Sequence, residues 1–170
     1  MNMDKERKTV VNIYAGMIAS LIFQFAPNAT LQILAILGFL AVFIWCYLAR
    51  SQAEKDSLVA NHTTYLIRSI WIFSLLTTIG VIVCVIWLSF TVDPELIKSL
   101  SQGYIETMSQ TGVPDYSEDY MALIEQNLGG VLLAVLVTLG PSLIYLGYRL
   151  IKGARRGISG YRIDNPNAWL

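Results

Sequence analysis

The chain's only histidine, His62, opens a segment where residues able to do chemistry crowd together: His62, Tyr65, Arg68, Ser69 and Trp71. At about 100° per residue, each step of three falls back by about 60°. His62, Tyr65, Arg68 and Trp71 therefore form a slowly winding stripe rather than one tight face, while His62 and Ser69 nearly overlay. Three readings are open. As an interfacial anchor, Arg68 snorkels to lipid phosphates and the aromatic rings sit at headgroup level. As a polar cluster, the same residues pack against the basic end of a later helix in a structural or ligand-binding role. As a catalytic site, the segment would have to work through His62.

A second cluster comprises Tyr148, Arg149, Lys152, Arg155 and Arg156. Cations just inside a membrane span attract anionic lipid, each worth about 1 kcal/mol near the surface. Arg149, Lys152, Arg155 and Arg156 are therefore expected to set topology and contact anionic lipid. Their spacing gives no support to a specific lipid or nucleotide site.

Little else resembles a reactive set. One histidine excludes a His-rich metal site and a paired-histidine relay. Cys46 and Cys84 are expected at opposite depths, form no C-x-x-C motif and read as small packing residues. The G-x-S-x-G, H-E-x-x-H, P-loop and dinucleotide patterns are missing. No Asp or Glu falls inside an apolar stretch, which weighs against a proton-coupled transporter. No catalytic residue, metal or cofactor is expected, and the chain is not expected to be an enzyme.

The elements that must position these residues are membrane helices. Of 170 residues, 55% are hydrophobic and 14% charged, with a formal net charge of zero, where a soluble domain carries about a quarter charged residues. A soluble protein this apolar would lack the charge that keeps it dispersed. Four stretches approach the roughly 20 apolar residues of a spanning helix, at about 10–26, 30–49, 69–92 and 128–151. Basic residues precede the first as in a signal peptide, but Ala26-Pro27-Asn28-Ala29 makes a poor cleavage site. Pro27 and Asn28 instead supply the turn of a tight helical hairpin. The expected fold is an all-α membrane protein, a single membrane domain over residues 1–170 with a basic tail from 152.

Lys and Arg favour the cytoplasmic side of a span. On a four-span layout, eleven of the twelve basic residues fall on one side and only Lys98 on the other. The expected topology is N-in and C-in. The 93–127 connection carries −6 and the rest of the chain +6. Within that acidic connection, Leu96, Ile97, Leu100, Tyr104 and Met108 recur at helical spacing after Pro94. Thr111–Pro114 reads as a turn and a second short helix follows, capped by Asp115 or Ser117. An extracytoplasmic helical hairpin is expected between spans three and four, covering the outer end of the bundle or docking a partner. Its carboxylates lack calcium-loop spacing.

Small residues mark expected helix contacts: Gly16 with Ser20, Gly80 with Cys84, and Gly129, Gly130 and Ala134. Gly140-Pro141 is expected to kink the last span at Pro141.

The pattern His62-x-x-Tyr65-x-Ile67-Arg68-Ser69-x-Trp71, followed by Tyr148-Arg149-x-x-Lys152-Gly153, resembles a group of small uncharacterised four-span bacterial inner-membrane proteins. That group is loosely similar to the Tic-type membrane subunit of the chloroplast inner-envelope translocon. The likeness covers about Arg50–Val92 and Leu143–Lys152, roughly a third of the chain. It implies architecture rather than a reaction. The long acidic insertion departs from the group, as does the tail Asn165–Leu170, whose Trp169 is expected to return to the membrane surface.

The leading expectation is a multi-pass protein of the bacterial inner membrane that works as an accessory or partner-binding subunit. It would contact membrane lipids, bind a protein through the 93–127 segment and bind no nucleic acid, with homo-oligomerisation left open. The alternatives are a transport or translocation component, a lipid-acting enzyme using His62, and an immunity protein.

Overall fold

The structure, a computed structural model, describes residues 3–91, 98, 102 and 117–169. Among these residues it is all-helical, with no strand and four helices: α1 (Met3–Phe23), α2 (Ala29–Gln52), α3 (Leu58–Thr91) and α4 (Ser117–Ile158). Most of the 93–127 connection, including all but Lys98 and Gln102 of the first helix expected there, lies outside the described residues. The second helix expected there is not separate. From Ser117 the chain is one helix to Ile158, because no proline interrupts it before Pro141. Pro141 itself lies inside α4 without ending it.

Three of these helices are long and apolar enough to cross a membrane: α2, α3 and the Asn127–Ile158 part of α4. The 24 residues of α2 extend about 36 Å and the 34 of α3 about 51 Å, against a hydrocarbon core of roughly 30 Å. Helix α1 takes the charged residues Asp4 to Lys8 into its first turns. Its apolar part, Val10–Phe23, extends only about 21 Å.

Local chemistry explains the helix ends. Asn28 caps α2 by accepting a hydrogen bond from the Leu31 amide at 3.0 Å. Before α3 the chain turns at Asp56, whose φ is +72°. Ser57 Oγ then accepts from the Ala60 amide at 3.1 Å, and the Glu6 carboxylate of α1 accepts from the Leu58 amide at 2.8 Å. Two amides that a helix start leaves unsatisfied are thus supplied with acceptors. These caps start α3 eleven residues before the expected span at 69, so the polar segment around His62 is helical. At the other end of the chain, Gly160 sits at φ +73°. The Tyr161 amide bonds the Arg156 carbonyl and the Gly160 amide bonds that of Gly157, a Schellman termination of α4.

The chain divides into two compact units, Met1–Ser74 with Ile144–Leu170, and Leu75–Leu143. In the first, one stripe of α1 (Val10, Ile13, Tyr14, Met17) packs with Cys46 of α2, with Val59, Leu66, Ile67 and Ile70 of α3, and with Leu146 and Leu150 of α4. α1 is therefore not equivalent all round: Glu6 and Ser20 complete the same buried face. Small residues permit the close approach. A β-carbon at Gly16 would lie 2.9 Å from Val42, and one at Gly153 would overlap the Tyr14 hydroxyl. In the second unit, Gly80 presses against the Thr138 carbonyl, and Thr77 Oγ1 donates to Ser142 Oγ at 3.1 Å. Cys84 and Ala134 are also buried, but Gly129 and Gly130 face open space. Elsewhere large apolar side chains point outward, Phe90 at 86% exposure and Leu136 at 67% among them. So much exposed hydrocarbon suits lipid and not water.

Candidate functional site

The first turns of α3 carry the candidate residues, and the first unit surrounds them with α1, the last turns of α4 and the tail. His62 is 1% exposed. Its Nε2 lies 3.0 Å from the Tyr161 carbonyl oxygen and its Nδ1 3.2 Å from the Tyr14 hydroxyl. A carbonyl can only accept, so Nε2 carries the hydrogen and Nδ1 accepts from Tyr14. The neutral imidazole thereby spends both nitrogens on structure. Beside it, Asn61 makes a reciprocal pair with the tail: Nδ2 donates to the Ile163 carbonyl at 3.0 Å, and the Ile163 amide donates to Oδ1 at 2.8 Å.

Two turns along α3, the Arg149 side chain of α4 crosses to the same face. Its Nε donates to Ser69 Oγ at 2.9 Å, and Ser69 Oγ donates to the Tyr65 carbonyl at 2.7 Å. Tyr65 returns the contact, donating its hydroxyl to the Arg149 carbonyl at 3.2 Å. The guanidinium carbon lies 3.7 Å from the Tyr65 ring centroid and 5.9 Å from that of Tyr145, as a cation over aromatic faces. Arg149 is 0% exposed. Among the described residues its Nη1 and Nη2 have no hydrogen-bond partner, and neither do Arg68 Nε and the Tyr145 hydroxyl.

The five residues singled out on α3 therefore separate. His62, Tyr65 and Ser69 join the buried network. Arg68 is half-buried, its guanidinium carbon 6.0 Å from the Trp169 ring centroid. Trp71 leaves the cluster: it is 60% exposed and donates from Nε1 to the Tyr47 hydroxyl at 2.8 Å. The basic group on α4 separates too. Arg149 is not on the outer surface with the others, because α4 turns it toward Ser69 and Tyr65. Lys152 lies over the Tyr148 ring at 5.3 Å, and Arg155 is exposed. Arg156 pairs with Asp164 at 2.7 Å and donates to the Arg162 carbonyl at 2.9 Å, while Arg162 reaches Asp56 at 3.4 Å. The Arg156 hydrogen bond holds the Asp164 carboxyl below its usual range. The Asp164 carboxylate is largely in solvent, so the pair adds little stability.

Sequence reasoning missed Tyr14, Asn61 and the tail backbone at Tyr161 and Ile163, and gave Tyr145, at the head of the basic segment, no role. The signals available were a tyrosine inside an apolar run, an asparagine next to the only histidine, and the i, i+4 spacing of Tyr145 and Arg149. Among the described residues no three His, Cys, Asp or Glu side chains gather as a metal site, and Cys46 and Cys84 are free thiols. In comparison with known proteins, no family model, curated protein or solved structure matches the chain.

Proposed function

We propose that this chain is a multi-pass protein of the bacterial inner membrane that acts by association, as an accessory or partner-binding subunit and not as an enzyme. The observation that carries the reading is the way the polar residues are used. Both ring nitrogens of His62 and both polar groups of Asn61 hold the tail and α1 in place, so neither side chain is free to act as a base. In the proposed layout α1 inserts as a fourth span and both ends face the cytoplasm. Supporting this, all eleven basic residues other than Lys98 belong to the first unit, where the starts of α1 and α3 and the end of α4 meet. The acidic 93–127 segment then faces outward as the docking region.

A photo-crosslinking residue placed at Gln102 in cells tests the reading. A discrete adduct with one membrane or extracytoplasmic protein is expected; recovery of the uncrosslinked chain alone, from several positions in the segment, would refute it. A second reading, a component of a translocation path, is favoured by Arg149, since ionisable groups inside membrane helices often line such paths.

A further inference from the structure

The buried donors around Arg149 have no role in the association just proposed. A guanidinium offers five N–H donors and no acceptor, and Arg149 spends one, from Nε to Ser69. Nη1 and Nη2 remain buried without a partner among the described residues. The Tyr65 ring beneath them stabilises the charge but does not accept their hydrogens in the guanidinium plane. Taking an unpaired cation out of water costs several kcal/mol, and an intact counter-charge normally offsets it. Among the described residues, Glu6 bonds the Leu58 amide, Asp56 pairs with Arg162 and Asp164 pairs with Arg156.

Two further orphans adjoin. Tyr145 is one turn before Arg149 on α4, and its hydroxyl is buried and unpartnered. It lies within Coulombic reach of both Arg149 and Arg68. Arg68, next to Ser69, buries its own Nε without a partner. The unsatisfied atoms are thus two cations and a hydroxyl, all able to donate, and what the cluster lacks is a negatively charged acceptor. We infer that Arg149, Arg68 and Tyr145 form a binding site for a phosphate-type oxyanion, carried by a lipid headgroup or free in solution.

Depth and access agree with that ligand. Arg68 lies ten residues into α3 and Arg149 nine residues before the end of α4, about 15 and 13 Å along the axes. The uninterrupted apolar runs, Ser69–Thr91 and Leu128–Tyr148, begin and end beside this pair, so it marks the hydrocarbon boundary, where lipid phosphates lie. Arg68 and Tyr145 are half-buried, with Arg68 beside Trp169, so the cluster reaches the surface at that edge. The fork of Nη donors on Arg149 then meets two phosphate oxygens, the bidentate geometry that arginine favours.

The test uses the full chain, delipidated in a maltoside detergent that contains no phosphate. Thermal unfolding is followed with added inorganic phosphate, with phosphatidylglycerol doped into the micelles, and with chloride or uncharged diacylglycerol as controls. A rise of about 5 °C at roughly a hundredfold excess over the dissociation constant is expected in at least one of the first two arms. A rise with phosphatidylglycerol alone identifies a headgroup, and a rise with inorganic phosphate identifies a free oxyanion. Arg149→Met should abolish the rise, and Arg68→Gln should weaken binding about tenfold, as expected for one charge-assisted hydrogen bond. If Arg149→Met does not fold, Arg68→Gln, which alters a half-buried residue, decides alone. No rise in either arm, or a rise that Arg68→Gln leaves unchanged, would overturn the site.

Discussion

Asn61 and His62 act less as reactive groups than as two clamps on one strap of backbone. Asn61 holds the amide and the carbonyl of Ile163, and His62 holds the carbonyl of Tyr161. Asn61→Ala would leave both Ile163 groups without partners in a buried place, a cost of roughly 1–3 kcal/mol for each group stranded. The expected outcome is release of the tail: protease should cut near Arg162 several-fold faster in the variant, with the helical circular-dichroism signal unchanged. Tyr14→Phe removes one hydrogen bond to His62 and keeps the ring that packs edge-on against the imidazole at 5.7 Å. It should cost about 1 kcal/mol in thermal unfolding and less than His62→Ala, which breaks the contacts to both Tyr14 and Tyr161. The sequence marked His62, Tyr65, Arg68 and Trp71 as one winding stripe, with Ser69 nearly over His62. It could not mark Arg149 as buried: composition places arginine at the surface, and only the geometry of α3 against α4 turns this one inward. Tail pairing was equally hidden, since the Ile163 and Tyr161 contacts are made by backbone that any sequence carries.

At the scale of the elements, the helices were legible because their apolar runs are long and the first hairpin carries the turn residues Pro27 and Asn28. Two features were not. Helix α3 begins at Leu58 because Glu6, on another helix, supplies one of its caps, and a contact between distant parts of the chain leaves no local pattern. Helix α4 continues through 117–127 because nothing there stops it, although its polarity resembles a separate element. The spacing of small residues was a mixed guide: Gly80 is pressed against backbone, whereas a β-carbon added at Gly129 or Gly130 would meet nothing within 4 Å among the described residues. Gly80→Val should therefore force the two helices of the second unit apart, because the Thr138 carbonyl belongs to backbone and cannot rotate away. A loss of about 1–3 kcal/mol is expected for such overpacking. Gly129→Ala should instead raise stability by up to about 1 kcal/mol through helix propensity. Thermal unfolding of both variants in one detergent decides whether the packing seam lies where the structure puts it.

Over the whole molecule, a formal net charge of zero conceals the most informative pattern in the chain: +6 outside the 93–127 segment and −6 within it. The structure gathers the cationic ends of α1, α2, α3 and α4 in one unit, and the exposed apolar faces of three long helices suit lipid. The central claim is that this separation of charge is a topology, with the basic end in the cytoplasm and the acidic segment outside. Cys46 and Cys84 are buried, so introduced thiols can be read against a quiet background. The most direct measurement is labelling of Ser159→Cys and Gln102→Cys in intact cells with a membrane-impermeant maleimide. The account predicts reaction at position 102 at once and at position 159 only after the membrane is opened. Reaction at 159 in intact cells, with 102 protected, would contradict it.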